Sequence, residues 1–316
     1  MKRRFLNLLV CLIFGCQFIV SEDYSLFRKN GKYGLITKDR KIVMQPDYDI
    51  ISVGSNSIIC SKKRDDEIYN SSLELLFSDS WVNLRFYTED EILITESMTA
   101  KKTLLNVITG ESKDFKGNEK YSIEEGYRDN VGLVYQYDEN KPFSYSIVDT
   151  KGNVLLTDIE DAHSVYTDGM IAVIMKDGKS GFVNKNGQLV IETSFYIDPD
   201  DIGPRKYPII FYAFSENYAL VKTKELKWVQ FDLKGNKKTL PSNIEPVDPY
   251  YKNGLVLIRD KDTKKLGYMN SKFKIIIPCK FDEARKFVGK YAVVTVDGKD
   301  AIIDKKGNIF FSDDLN

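Results

Sequence analysis

Few residues of this sequence have the type and spacing that catalysis requires. The 316-residue chain contains one histidine, His163, which excludes multi-histidine metal sites and leaves a Ser/His/Asp or Cys/His arrangement dependent on that residue alone. His163 lies in residues 161–166, a segment that we expect to connect two strands, where a lone histidine is typically a surface or capping residue. The chain also holds 46 carboxylates, but they are spread along it and none stands out by its context. We therefore predict no catalytic residue, with a paired-carboxylate hydrolase as the alternative.

One acidic segment has the oxygen ligands that Ca²⁺ prefers. Asp198, Asp200 and Asp201 flank Pro199, but the segment has neither the alternation nor the glycine of an EF-hand loop. We expect a solvated acidic loop, and we predict no metal and no cofactor for this chain. A calcium site in this loop is the alternative.

The N-terminal 21 residues have the composition of an export signal. Three basic residues at positions 2–4 precede an apolar run over residues 5–20, which is shorter than the ~20 residues that span a bilayer comfortably as a helix. We predict a signal peptide over residues 1–21, cleaved near Ser21, and a mature chain that is periplasmic, outer-envelope or extracellular. An uncleaved N-terminal anchor is the alternative.

Within this segment, residues 13–16 have the outline of a bacterial lipobox ending at Cys16. Phe14 is larger than that pattern prefers, and the apolar run continues past Cys16. Cys16 is thus a possible lipidation site, and ordinary secretion is the main interpretation.

The charge of the predicted mature chain bears on its partners, and its two cysteines bear on whether it contains a disulfide. The precursor has 46 basic and 46 acidic residues, and removing the three N-terminal basic residues leaves residues 22–316 with a net charge of −3. Nucleic acid, whose phosphates need an excess of Lys and Arg, is therefore not an expected partner. Cys60 and Cys279 lie in apolar runs, and we expect them to be buried small hydrophobes and not a disulfide.

The mature chain repeats a pattern of turns and short strands. The turn Asp297-Gly298 has counterparts in Asp177-Gly178 and Asn30-Gly31, each between runs of β-branched and aromatic residues. These are hairpin signals, because Asn, Asp and Gly adopt positive φ at low cost. A second strand follows each turn and ends in a polar residue, then a glycine-containing turn leads to a third strand. The second strands are residues 33–37, 103–106, 145–149, 180–184, 228–232, 266–270 and 300–304; the third strands are residues 42–44, 154–156, 189–191, 275–277 and 309–311.

The repeat has a period of about 37 residues. Measured at the polar residue that ends the second strand, the steps from Asp149 to Asn184, Asp232, Asn270 and Asp304 are 35, 48, 38 and 34 residues. About eight three-stranded antiparallel meanders therefore fill residues 22–316, with those between 57 and 130 too degenerate to place. A single meander is too small to be stable. We predict an all-β, propeller-like ring of such units, with an open β-solenoid as the alternative.

The best copies resemble the WG repeat, also written KWG. Residues 281–307 fit its pattern closely, residues 30–49, 170–191 and 251–282 fit well, and residues 57–130 fit poorly. The signature tryptophan is replaced by Tyr33, Ser180, Leu266 and Asp300, and is kept at Trp228 without the glycine that follows it. The resemblance implies a bacterial, exported protein of a family of surface or envelope binding scaffolds that has no general enzymatic mechanism.

We therefore expect a non-enzymatic repeat scaffold that binds a protein or an envelope polymer through loops on one face, residues 197–207 among them. A carboxylate-dependent propeller glycoside hydrolase and a lectin-like carbohydrate binder are the alternatives. The aromatic residues that recur in the units, among them Tyr48, Phe182, Phe281, Phe287 and Tyr291, are explained by core filling without a sugar-binding platform. Inward carboxylates with aromatics at the centre of the ring would favour the hydrolase, and an apolar or lysine-lined centre would not.

Overall fold

The computed structural model describes most of residues 22–316. Its described residues are 23–54, 56–88, 90–115, 122–128, 131–136, 144–163, 167–196 and 212–315. The predicted signal peptide with Cys16 and the loop at residues 197–207 with its aspartates lie outside the described residues, so the statements made on them stay predictions.

Within the described ranges, antiparallel strands form seven sheets arranged in a ring, which are the seven blades of a β-propeller. The predicted all-β ring is thereby confirmed. The helical structure in this part of the chain is a single 3-10 turn at Ser312–Asp314.

The strands follow one another in chain order around the ring. The first sheet contains β1 (Tyr24–Lys29), β2 (Lys32–Thr37) and β3 (Ile42–Tyr48), and the second β4 (Ile50–Val53), β5 (Ser57–Lys62), β6 (Asp65–Asn70) and β7 (Leu75–Ser80). The third contains β8 (Val82–Phe86), β9 (Glu91–Glu96), β10 (Lys102–Asn106) and β11 (Ser112–Asp114). The fourth contains β12 (Ser122–Arg128), β13 (Val131–Gln136), β14 (Ser144–Asp149), β15 (Val154–Ala162), β16 (Met170–Met175), β17 (Ser180–Asn184) and β18 (Leu189–Glu192).

The remaining three sheets are four-stranded. The fifth contains β19 (Phe214–Ser215), β20 (Tyr218–Lys222), β21 (Trp228–Asp232) and β22 (Lys237–Thr239). The sixth contains β23 (Ile244–Lys252), β24 (Leu255–Asp260), β25 (Leu266–Asn270) and β26 (Ile275–Phe281), and the seventh β27 (Glu283–Ala284), β28 (Tyr291–Val296), β29 (Lys299–Asp304) and β30 (Ile309–Phe311).

We label the strands of a unit A to D from the centre of the ring outwards. The D strands β11 and β22 are fully exposed, whereas both residues of the A strand β19 are buried. The predicted meanders correspond to strands B to D, and the described first sheet consists of those three. The A strand was not predicted; in the seventh sheet, for example, β27 has two residues, which carry no periodic pattern. The seven-stranded fourth sheet contains two units, because β15 is strand D of one unit and strand A of the next. The number of sheets is therefore seven, whereas the sequence predicted about eight repeat units.

The BC turns, which join strands B and C, have the geometry that their residues predict in two of three copies. Asn30 and Gly31 have φ of 52° and 77°, and Asp297 and Gly298 have φ of 50° and 75°, as a tight type I′ turn requires. In the third copy only Gly178 has a positive φ, of 86°, and the N–H of Met175 bonds to the carbonyl of Lys179 across a three-residue loop.

The polar residue that ends each C strand caps the CD turn that follows it. In the seventh sheet, Asp304 Oδ1 accepts the backbone N–H groups of Lys306 at 2.9 Å and Asn308 at 3.0 Å. The same pair of bonds, to the second and fourth residues onward, is made by Asn70, Asp149, Asn184, Asp232 and Asn270. Asp and Asn recur at this position because their short side chains satisfy turn N–H groups.

The ring closes between the first and last sheets. Phe27 and Ile36 of the first sheet form one buried cluster with Tyr291 and Ile302 of the last. Beside it, the largely buried Arg28 makes an ion pair at 2.7 Å with Asp300 and another at 3.0 Å with the more exposed Glu283. A chain whose ends pack against each other in this way is a closed ring and not the open solenoid that was the alternative.

The turns between strands A and B join neighbouring units on one face of the ring, which we call the AB face. Five hydrogen bonds of 2.7–3.0 Å connect residues of these turns to an adjacent unit. Named with the donor residue first, they join Asn56 to Asp90, Asn217 to Asp168, Gly254 to Glu216, Asn253 to Gly289, and Lys290 to Ser25. The opposite face carries the BC turns and the connectors from a D strand to the next A strand, and we call it the BC face.

Candidate functional site

The connectors on the BC face have one position with a recurring backbone role. It lies where strand D of one unit leads to strand A of the next, and it accepts a hydrogen bond from the BC turn of that next unit. Carbonyl oxygens of Trp81, Asp158 and Asn243 accept N–H groups of Ser97, Lys176 and Lys261, each at 2.9 Å. Ser194 accepts from Lys224 at 3.3 Å, while Asp49 uses its carboxylate for the N–H of Lys63 at 2.9 Å. Asp282 holds the same place directly before β27.

At two of these positions an aspartate also pairs with a lysine at the start of its own C strand. Asp49 binds Lys32 Nζ, and Asp282 binds Lys265 Nζ at 2.5 Å. The Lys32 ammonium and then the Lys63 N–H hold the pKa of Asp49 below its ordinary value. The polar connector residue therefore fastens its connector to the unit that it leaves.

Trp81 is the large apolar residue among the six connector positions just described. Its φ is 64°, a conformation that costs a bulky side chain of the order of 1 kcal/mol or more. Arg64, which directly precedes strand C of the same unit, places its guanidinium 4.9 Å from the centroid of the Trp81 ring. A cation–π contact thus occupies the place that Asp282 and Lys265 fill with an ion pair.

The surroundings of Trp81 leave it accessible. Its side chain is 51% exposed, and Met98, next to the Ser97 that bonds to it, is 90% exposed. Trp, Arg and Met are enriched at protein interfaces, and Trp and Arg at the residues that dominate binding energy. We call Arg64, Trp81 and Met98 the BC patch.

The inner edge of the ring carries a second group of charged residues. Lys286 Nζ lies 3.3 Å from Asp248 Oδ2 of the neighbouring sheet. Burial, followed by the like charge of Lys286, lowers the pKa of Lys252 to about 8, and Glu216 opposes that shift. Lysines and carboxylates occur together in the described inner edge. This mixture matches neither the carboxylate-lined centre expected of a hydrolase nor a purely lysine-lined or apolar centre.

His163 does not lie at the surface as we expected. It is buried at the inner end of β15, where its backbone N–H bonds to the carbonyl of Ala172 at 2.9 Å and its neighbour Asp161 is also buried. The expectation was wrong because residues 159–162 pair with β16 and so belong to a sheet, not to a surface connector. Burial raises the pKa of Asp161 to about 7. The N–H of Ala162 opposes this rise, and the nearby charge of Glu160 adds to it.

The other residues that the sequence singled out have structural positions. Phe182, Phe281, Phe287 and Tyr291 are buried, which confirms their core-filling role. Tyr48 is half-buried and donates to Glu67 Oε2 at 2.7 Å. Cys60 is a buried thiol of β5 and Cys279 a half-buried thiol of β26.

The described residues hold neither a cluster of metal-ligating side chains nor a membrane-spanning helix. They contain no group of three or more His, Cys, Asp or Glu side chains arranged to hold a metal ion. None of the helical structure that they form has the length and apolar character of a membrane span.

Arg64, Trp81 and Met98 are the site residues that sequence reasoning missed. All three lie in residues 57–130, where the repeat was too degenerate to align. The signal was nevertheless present, because residues 80–81 occupy the place held by Tyr48-Asp49 and Phe281-Asp282 in better copies. An aligned repeat would have marked Trp81 as an apolar residue at a polar position.

Comparison with known families supports the repeat assignment over one unit. A family model described as WG containing repeat matches residues 267–299. That stretch begins at Gly267 of β25 and ends at the first residue of β29. The resemblance to WG repeats is confirmed there, while the bacterial origin and the export that it implies stay predictions. The sequence has no match among curated proteins.

Several solved structures align with most of this chain at low identity. BamB from Moraxella catarrhalis is 8% identical, with 90% of this chain and 89% of that chain covered and a TM-score of 0.42. AztD from Citrobacter koseri is 11% identical, with 89% and 91% covered and a TM-score of 0.48. PorZ of Porphyromonas gingivalis is 8% identical, with 92% of this chain and 39% of that chain covered and a TM-score of 0.43. Similarity at this level carries no information about function.

Proposed function

We propose that this protein is an exported, non-enzymatic β-propeller scaffold that binds a protein or envelope ligand through its BC face. The observation that carries the proposal is the BC patch, in which the exposed Trp81 contacts the Arg64 guanidinium and bonds through its carbonyl to Ser97, the residue before the exposed Met98. An exposed Trp at a position filled by polar residues elsewhere in the ring has no packing reason to be apolar, and binding supplies one.

Turns on both faces bond to a neighbouring unit, as Gly254 does to Glu216 at 2.7 Å on the AB face and Ser97 to Trp81 at 2.9 Å on the BC face. The BC face is chosen because it carries the exposed BC patch, and binding sites on a rigid scaffold generally lie on its loops. Export rests on the N-terminal sequence, with possible lipid attachment at Cys16.

Affinity capture tests the proposal. Mature chain (residues 22–316) is immobilised and exposed to envelope extract of its own source, beside the same chain unfolded by heat and a variant lacking residues 197–207. We expect saturable retention of a defined protein or polymer by the native chain and the loop variant, and none by the unfolded chain. Failure to retain any component, or release of reducing sugar from envelope polysaccharide by the native chain, would contradict the proposal and the second result would favour the hydrolase.

A further inference from the structure

We infer that the BC patch recognises a protein segment in which a carboxylate stands next to a large apolar side chain. This inference rests on the proposed function and goes further by naming the docking residues and the chemistry of the partner. It begins from Trp81, which stands at a position held by Asp49 and Asp282 in the two comparable units.

Trp81 stands where the other two units have an internal partner for a basic residue. In the two comparable units, the lysine at the start of strand C is bound by its own connector aspartate, Asp49 or Asp282. Arg64 faces an uncharged aromatic ring in place of a carboxylate. Among the described residues no carboxylate forms an ion pair with Arg64 or with Lys63, since the adjacent Asp65 accepts from the Ser80 hydroxyl and is held there. The Arg64 guanidinium therefore keeps N–H groups for an external acid.

Arg64 is the basic residue of this turn that is left to attract such an acid. It follows two further exposed basic residues, Lys62 at the end of β5 and Lys63 in the BC turn. Lys62 lies 3.8 Å from Asp47, a long and exposed pair that contributes little. The Asp49 carboxylate accepts the Lys63 N–H, and the exposed Asp65 directly follows Arg64, so the attraction of this turn for an acid rests on the Arg64 guanidinium. A guanidinium stacked on an aromatic ring presents its edge to solvent and binds a carboxylate bidentately.

The apolar half of the patch specifies the second element of the partner. Trp81 and Met98 lie on two successive connections that the 2.9 Å bond from Ser97 N–H to the Trp81 carbonyl holds together. Trp supplies a large rigid surface, and Met supplies an adaptable one. An apolar side chain packed on them would place a neighbouring carboxylate at Arg64. A carboxylate alone would leave Trp81 in water, and an apolar side chain alone would leave Arg64 unused.

The repeat itself provides the decisive variant. Trp81→Asp installs the residue found at Asp49 and Asp282, which tolerates positive φ better than Trp and can pair with Arg64. We expect the folded ring to be retained with an unchanged or higher Tm, while binding is lost. Leu226→Asp is the matched control, because Leu226 has φ of 60°, is 56% exposed and lies in another BC turn.

The test uses fluorescein-labelled dodecapeptides and the mature chain, with polarisation as the readout. One peptide contains Glu-Phe between Gly-Ser flanks, and its relatives contain Gln-Phe, Lys-Phe or Glu-Ser. We expect the wild-type chain to bind the Glu-Phe peptide about tenfold more tightly than it binds each of the related peptides. We expect Trp81→Asp to bind the Glu-Phe peptide about tenfold more weakly than the wild type does, and Leu226→Asp to bind it within about twofold of the wild type. Arg64→Gln should abolish the preference for Glu over Gln.

Three results would overturn the inference. They are binding by Trp81→Asp at the wild-type level, equal binding of the Glu-Phe and Gln-Phe peptides, and no binding of any peptide. The capture experiment separates these from failure of the proposed function. If Trp81→Asp retains the same envelope component as wild type, the scaffold function stands and the BC patch is not its docking site.

Discussion

Replacing Gly181 with alanine is expected to lower the free energy of unfolding by about 3 kcal/mol. Gly181 is the glycine of the WG pattern in β17, and its φ is 155°. A Cβ atom there would lie 1.9 Å from the carbonyl oxygen of Ile191 in the neighbouring strand. Strands β17 and β18 must therefore separate, or their bulged register must change, and the buried Phe182 and Ile191 beside them would move.

The same close approach explains why the pattern has a glycine. At Gly34 and Gly267 a Cβ would lie 2.5 Å from the Met44 carbonyl oxygen and 2.6 Å from that of Ile277. The last sheet is the informative exception. There Ala301 takes the glycine's place opposite Phe311, and strands β29 and β30 pair without a register shift.

Urea unfolding of Gly181→Ala beside Gly152→Ala measures the effect. Gly152 has φ of 83° but nothing within 4 Å of the added Cβ, so the control isolates the backbone cost, of about 1 kcal/mol. Equal losses in the two variants would show that the carbonyl of Ile191 is not the obstacle.

Replacing Asp161 with asparagine is expected to stabilise the protein at pH 8 by about 3 kcal/mol and to have little effect at pH 4. The side chain is 8% exposed, and its Oδ2 atom has no hydrogen-bond partner among the residues that the structure describes. Burial is the main cause that raises the pKa of Asp161 from 3.8 to about 7. Ionising it in the folded state is therefore costly.

The sign of the pH dependence follows from proton counts. Between about pH 4 and pH 7 the folded protein keeps the Asp161 proton that the unfolded chain has lost. Stability from this group is therefore present at low pH, falls as pH rises through the folded pKa, and is constant above it. Asparagine is uncharged at every pH, as the protonated acid is. The stability of the variant therefore does not include the decrease with rising pH that Asp161 causes.

Urea unfolding of both proteins at half-unit pH steps from 4 to 8 measures the difference. Capping aspartates such as Asp304, whose pKa is lowered by bonds to Asn308, contribute slopes of the opposite sign, but they are common to both proteins and cancel. Asp158→Asn, at an exposed carboxylate of the same strand, should keep the wild-type slope. If Asp161→Asn is no more stable than wild type at pH 8, Asp161 is not a buried acid.

Much of the ring could be read from the sequence because local chemistry determines the turns. Asn30-Gly31 requires a tight hairpin, and Asp304 caps the turn that follows it whatever the surroundings. Strands B to D follow from these two signals. Strand A could not be predicted, because its position depends on neighbouring sheets and not on its own residues. Arg28 carries no signal for its partner Asp300, from which it is separated by 272 residues.

The candidate site was less predictable for a physical reason. Trp81 and Arg64 are adjacent only because strands β6 and β7 return the chain to the same face. In the sequence they are two exposed residues in a degenerate stretch. His163 shows the converse, since a residue that looked like part of a loop is buried by the pairing of β15 with β16.

Site-specific photo-crosslinking tests the central claim, binding through the BC face, most directly. Benzoylphenylalanine is placed at Met98 on the BC face or at Ile108 in a CD turn, which lies at the other end of the strands of the same sheet. Both side chains are highly exposed, at 90% and 60%. Irradiation in the envelope of the source cells should give an adduct with another macromolecule from position 98 and none from position 108. Adducts from position 108 alone, or from neither position, would contradict the account.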